Sequence, residues 1–146
     1  MDNRGALRRE PSRIVERMSE AERLSTSKYL SLTTFKKDGT PVATPVWVAR
    51  DGERLVVITD PNSGKAKRLR NGSDVRLAPC DMRGRITGDS IDGTAVLLDE
   101  VGTQRVMDLI GKRYGLLYKV MALTEKLRRR TDGSVGIEIT PGTTAG

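Results

Sequence analysis

The sequence contains no histidine at all. This absence excludes Ser-His-Asp and Cys-His nucleophiles, the usual zinc sites and the commonest general base near neutral pH. Any redox chemistry must then come from a bound cofactor, for which the protein supplies binding, orientation and electrostatics. We therefore assign no catalytic side chain and no set of metal ligands.

Cysteine and long apolar runs are also scarce. Cys80 is the single cysteine, which excludes an internal disulfide and a multi-cysteine metal cage and favours a reducing compartment. No apolar run approaches the ~20 residues of a membrane span, and the charged N-terminus lacks the apolar segment of a signal peptide. We therefore expect a soluble, cytoplasmic protein in which Cys80 is a buried, inert thiol.

Aromatic residues are few, whereas basic residues are abundant. One Phe, one Trp and three Tyr are little material for the repeated stacking platforms of single-strand nucleic-acid binders. Lysine and arginine total 26 against 19 acidic residues, a formal charge of +7, which implies an anionic partner. Nucleic acid, an acidic membrane surface and a polyanionic cofactor all satisfy that charge, so charge alone does not choose among them.

The length of 146 residues corresponds to one domain. An N-terminal arm and a short helix occupy 1–25, the helix itself being predicted around 12–25, and 142–146 form a tail. Between them, alternating apolar residues predict β-strands, and a helical insertion is predicted over about 100–130 with a break near Gly115. The predicted strands cover Tyr29–Phe35, Pro41–Arg50, Arg54–Thr59, Val75–Cys80, a bent stretch 84–98 and 134–140.

A basic turn follows the third of these strands, which with the first two is predicted to form an antiparallel meander. The run from Thr59 to Arg70 passes through a small-residue turn into four cations within six positions. Hydroxyls of Thr59 and Ser63, a helix N-terminus, and the charges of Lys65 and Arg68 together suit a phosphate group. The alternative is a solvated basic helix face, on which Lys65 is an ordinary exposed lysine.

Several segments in order resemble the flavin/deazaflavin oxidoreductases, specifically the pyridoxamine-phosphate-oxidase-like, coenzyme F420-dependent branch. The segments are Tyr29–Phe35, 37–41, Pro45-Val46-Trp47, Thr59–Arg70, 79–84 and 135–137, and the resemblance covers roughly 26–141. It implies a mainly β fold, a six-stranded antiparallel split β-barrel flanked by helices. It also implies a homodimer with two cofactor sites at the subunit interface.

The resemblance also implies site residues and a cofactor. Thr59, Ser63, Lys65 and Arg68 correspond to the segment that holds the cofactor phosphate, and Pro45, Val46 and Trp47 to the strand that lines the ring system. Arg83, beside Gly84, is a candidate for the cofactor tail or the substrate mouth. The cofactor expected is coenzyme F420, whose phosphate and oligoglutamate tail suit the +7 charge, with FMN as the alternative.

The expected activity is hydride transfer between the deazaflavin and a small conjugated or unsaturated organic substrate. The alternatives are an FMN-dependent enzyme and a non-catalytic protein that binds or carries a flavin or deazaflavin; ordinary haem ligation is disfavoured by the absence of histidine. Two aromatic assignments also stay open. Trp47 lines the ring or packs in a core or dimer interface, and Tyr114 and Tyr118 contact substrate or pack a helix.

Overall fold

A computed structural model describes residues 19–127 and 133–142. Within these residues the chain forms a curled antiparallel sheet with three helices, so it is mainly β as predicted. Among the described residues no helix is long and apolar enough to cross a membrane. In chain order the elements are α1 (Glu20–Ser25), β1 (Tyr29–Phe35), β2 (Pro41–Trp47), β3 (Ala49–Asp51), β4 (Arg54–Thr59), α2 (Gly64–Asn71), β5 (Asp74–Cys80), β6 (Ile91–Leu97), α3 (Glu100–Leu127) and β7 (Val135–Pro141).

The seven strands pair in the order β2-β1-β5-β6-β7-β4-β3, and every pairing is antiparallel. One face of the curled sheet encloses the main core, because alternate strand residues point to the same face. This core includes Leu30, Leu32, Leu55, Leu77 and Ile137, each 0% exposed. A second apolar cluster lies on the outer face, where α3 packs against β3 and β4.

The predicted strand Pro41–Arg50 is interrupted at Val48. Its first part, β2, pairs with β1, and its second part, β3, pairs with β4. The predicted three-strand meander is therefore wrong, because the chain crosses from one edge of the sheet to the other at this point. The interruption also explains why the sheet has seven strands where six were predicted.

The bent stretch predicted over 84–98 contributes strand only at Ile91–Leu97. The preceding residues form a turn and an extended loop, with one isolated bridge between Cys80 and Ile86. Within β6, Gly93 is required by close approach, because a Cβ built there would lie 2.7 Å from the Thr140 carbonyl oxygen.

The helices agree with the sequence patterns where the structure describes them. Helix α1 begins after Ser19, which forms a capping box with Glu22; residues 12–18 of the predicted helix lie outside the described residues. The break predicted in the insertion is confirmed, since Gly115 has φ 58° between two helical segments. The last three residues of the predicted insertion, 128–130, lie outside the described residues.

Candidate functional site

A short polar turn after β4 builds the N-terminus of α2. The Oγ1 atom of Thr59 lies 3.2 Å from Ser63 Oγ. Ser63 is the N-cap, and its hydroxyl accepts a hydrogen bond from the amide three residues later at 3.2 Å. The amides of Gly64 and Lys65 precede the first intrahelical hydrogen bonds and lie at the positive end of the helix dipole. This helix end therefore offers backbone donors to an anion.

Two cationic side chains lie at the same helix end. The Arg68 guanidinium folds back over Gly64, so that a Cβ built on Gly64 would lie 2.7 Å from Arg68 Nη1. Lys65 is half-buried, and its burial, together with the charge of Arg68, lowers the pKa of its ammonium group below 10.5. Within 19–127 and 133–142, neither residue has a carboxylate at ion-pair distance. Two cations beside a positive helix end repel each other until an anion neutralises them.

Thr34 on β1 holds Arg68 in this position. Arg68 Nε donates a hydrogen bond of 2.6 Å to Thr34 Oγ1, and Thr34 is only 1% exposed. A buried acceptor orients a guanidinium better than solvent does. Sequence reasoning missed Thr34, because one threonine in an alternating strand gives no signal of a partner 34 positions away.

The residues predicted to line the ring lie on β2, beside an open strand edge. Strands β3 and β4 pair from the Asp51 end only as far as Ala49, opposite Val56. If this register continued backwards, Val46 would stand opposite Thr59, but β2 pairs with β1 instead. Strands β2 and β3 are the two edge strands of the sheet, and β2 still contacts β4 near this point.

The three residues of this strand have different surroundings. Pro45 is exposed, and Val46 is half-buried against the main core. Trp47 stacks on Tyr114 of α3, with the ring centroids 4.6 Å apart and the planes at 12°. Within one chain, Trp47 and Tyr114 thus pack in the outer apolar cluster; the side chain of Tyr118 lies outside the described residues.

Arg83 lies in a turn after β5, next to Pro45 rather than at the start of α2. Asp81 Oδ1 accepts hydrogen bonds from the amides of Arg83 and Arg85, both at 2.9 Å. These backbone hydrogen bonds hold the pKa of the Asp81 carboxyl below 3.8, and the bond from the Arg85 amide has the largest effect. The Arg83 side chain is exposed. Gly84 has φ 90°, and a Cβ built there would lie 3.8 Å from Pro45 Cδ.

The structure therefore brings the predicted site residues together as two groups. Thr59, Ser63, Lys65 and Arg68 form a cationic group at the start of α2. The other group comprises the strand Pro45–Trp47 and the turn of Arg83, where Gly84 lies next to Pro45. The cationic group by itself has the donors and charges that suit a phosphate. Cys80 is 3% exposed, so the prediction that it is buried is confirmed. Burial raises the pKa of its thiol above 9.0.

Comparisons with known proteins agree with this architecture. Conserved hypothetical protein Rv2991 from Mycobacterium tuberculosis has 23% identity, with 83% of this chain and 77% of that chain covered and a TM-score of 0.62. HutZ, the heme storage protein from Vibrio cholerae, has 15% identity, with 85% and 89% covered and a TM-score of 0.62. A structure described as an F420 reductase has 18% identity, with 84% and 93% covered and a TM-score of 0.52. At these identities the likeness concerns the fold.

No curated protein matches the sequence. The family profile described as pyridoxamine 5'-phosphate oxidase does match, over residues 19–145. That range contains every strand of the sheet and both groups of site residues. The chain therefore belongs to the pyridoxamine 5'-phosphate oxidase family.

Proposed function

We propose that this protein is a coenzyme F420-dependent oxidoreductase that transfers a hydride between the deazaflavin and a small conjugated or unsaturated organic substrate. The observation that carries the proposal is the pair of cations, Lys65 and Arg68, at the start of α2 without a neighbouring carboxylate in the described chain. Such a site fits a phosphate group of the cofactor.

In this assignment, Thr59 and Ser63 shape the turn, Lys65 and Arg68 neutralise the phosphate, and Pro45–Trp47 orient the ring system. Arg83 serves the cofactor tail or the mouth of the substrate site. The cofactor supplies the hydride-transferring carbon, while the protein supplies position and excludes water. The formal charge of +7 and the likeness in fold to an F420 reductase favour the deazaflavin over FMN.

A homodimer with cofactor sites at the interface belongs to the same proposal. One chain leaves the strand of Pro45 exposed, and the neighbouring turn carries two exposed apolar side chains, Met82 and Ile86, at 65% and 55% exposure. A second copy that covers this surface would complete the ring-binding part of the proposed site. Light scattering during gel filtration at micromolar protein is expected to give the mass of a dimer; a monomer alone would remove this part of the proposal.

The first experiment is a fluorescence titration of the purified protein with oxidised coenzyme F420 and, in parallel, with FMN. Micromolar or tighter binding of F420, with weaker binding of FMN, is the expected result. The reverse preference would move the function to flavin chemistry. Binding of neither would refute the cofactor site altogether.

Turnover separates the enzyme from a carrier protein, since the two share every contact to the phosphate. Reduced F420 is mixed with a panel of conjugated acceptors, and the recovery of the oxidised chromophore is followed. Oxidation that depends on acceptor and protein together supports the enzyme. Tight binding without acceptor-dependent oxidation across the panel would favour the carrier.

Substitutions of Thr34 test the positioning of Arg68. We expect Thr34→Val to weaken cofactor binding about tenfold, because the variant loses a hydrogen bond to a charged group. Thr34→Ser keeps the hydroxyl and is expected to restore most of the affinity. Equal losses in both variants would show that Thr34 acts through packing alone.

A further inference from the structure

A basic groove lies between the β1–β2 hairpin and α2 and extends beyond the cationic group described above. It has a volume of about 870 Å³ and is formed by the β1–β2 hairpin, α2, and strands β5 and β6. Thr59, Ser63 and Lys65 do not line it, and Arg68 is the residue that it shares with the cationic group. The charged lining consists of five cations, Lys36, Lys37, Lys67, Arg68 and Arg76, and two carboxylates, Asp74 and Asp92.

Most of the positive charge in the groove is not neutralised by the protein. Asp92 Oδ1 lies 3.3 Å from Arg76 Nε, and this pair is exposed. In the described part of the chain, none of the three lysines has a carboxylate at ion-pair distance. Asp38, in the same hairpin, does not line the groove; its Oδ1 atom accepts the Thr40 amide at 3.0 Å.

Two of the cations are held in place by other side chains. Arg68 is anchored by its hydrogen bond to the buried Thr34. Arg76 lies over the ring of Phe35, with its guanidinium carbon 5.8 Å from the ring centroid. The groove thus has a preformed cationic wall, with three exposed lysines around it. Preformed charge lowers the cost of ordering on binding.

We propose that this groove binds a linear oligoanion, a chain that carries several phosphate or carboxylate groups. The cations come from three separate elements, so one small anion would meet only part of them, whereas a chain can follow the groove. The volume of about 870 Å³ lies within the range of sites that hold a whole ligand, roughly 300–1,000 Å³. The proposal does not depend on which cofactor binds at the start of α2.

The test is isothermal titration of the cofactor-free protein with two probes, inorganic tripolyphosphate and a triglutamate peptide. The variant carries Lys36→Gln and Lys37→Gln, two exposed hairpin positions. The matched control is Lys112→Gln, an exposed lysine on α3 that does not line the groove. A second control is Lys65→Gln, which alters the start of α2 but not the groove. Unchanged thermal midpoints establish that the variants are folded.

Saturable binding of at least one probe is expected, weakened about tenfold or more in the double variant and by less than about twofold in either control. Preference for tripolyphosphate would identify a phosphate chain, and preference for triglutamate a carboxylate chain; either supports the groove. Absence of binding at millimolar probe would overturn the proposal. So would a loss in Lys65→Gln that exceeds the loss in the double variant, because the probe would then occupy the start of α2.

Discussion

The hydroxyl of Tyr114 forms hydrogen bonds to the backbone at the point where β2 ends and β3 begins. Tyr114 Oη accepts a hydrogen bond of 3.1 Å from the Val48 amide. It lies 2.7 Å from the carbonyl oxygens of both Val48 and Lys28, to one of which it donates its single proton. Val48 is 0% exposed and falls between the β2–β1 and β3–β4 ladders, so no strand supplies these hydrogen bonds.

Tyr114→Phe removes these bonds and retains the ring that stacks on Trp47. A net hydrogen bond contributes about 1 kcal/mol, and a buried polar group left without a partner costs about 1–3 kcal/mol. We therefore expect the free energy of unfolding to fall by about 2–3 kcal/mol, mainly because the buried Val48 amide is left unpaired.

Urea denaturation followed by the fluorescence of the single tryptophan measures this loss. The control is Tyr29→Phe, since Tyr29 is half-buried and its hydroxyl makes no hydrogen bond within 19–127 and 133–142. We expect the control to lose less than about 0.5 kcal/mol. An equal effect of the two substitutions would refute the role assigned to the Tyr114 hydroxyl.

The same residue gives a dependence on pH. Burial raises the pKa of the Tyr114 hydroxyl above 10.0. An unfolded tyrosine ionises near pH 10 while the folded one retains its proton, so this contribution to stability is complete below that pH and falls as the pH rises further. The stability difference between the wild type and Tyr114→Phe should therefore shrink above about pH 10; a constant difference would contradict the protonated hydrogen bond.

Three further predictions concern the site and the sheet. Lys65→Glu should weaken F420 binding by about 2 kcal/mol or more, because a charge-assisted contact becomes repulsive. Lys112→Glu makes the same charge change on α3 and should leave F420 binding unchanged. Equal losses of affinity in the two variants would indicate a diffuse effect of net charge. F420 binding should weaken as the pH rises towards 10.5, because the pKa of Lys65 is lowered and its ammonium group loses its charge in that range. The Lys65→Arg variant should not show this loss. Parallel curves of affinity against pH for the wild type and Lys65→Arg would refute the prediction. Gly93→Ala should lower the free energy of unfolding, measured in urea, by about 1–3 kcal/mol, because the added Cβ would lie 2.7 Å from a backbone atom. Gly72→Ala, where a Cβ would meet open space, should lower it by less than about 0.5 kcal/mol. Similar losses in the two variants would show that the strands move apart to accommodate the Cβ of residue 93.

Local patterns predicted the elements best where one physical cause dominates. Strand β1 has the predicted limits, Tyr29–Phe35, because alternation with one buried face is a strong signal. The sequence also predicted the turn before α2, since Ser63 is a favourable N-cap residue and cations follow it. The sequence predicted the kink at Gly115 because glycine adopts a positive φ without steric cost.

Predictions failed where a distant partner decided the local structure. The pattern of Pro41–Arg50 predicts one strand. In the structure, however, the backbone of Val48 forms hydrogen bonds with the hydroxyl of Tyr114, 66 positions later, and not with a neighbouring strand. Trp47 similarly has two possible roles in the sequence, and only the packing of α3 shows that it stacks on Tyr114 within the chain.

The sequence by itself determined the mainly β class, the basic character and the capped turn before α2, because periodicity, charge and capping act over a few neighbouring residues. The tertiary structure decided which strand edges diverge, that Thr34 anchors Arg68, and that lysines of a hairpin and a helix surround one groove. Those features depend on contacts between residues far apart in the chain, and composition and spacing do not encode such contacts.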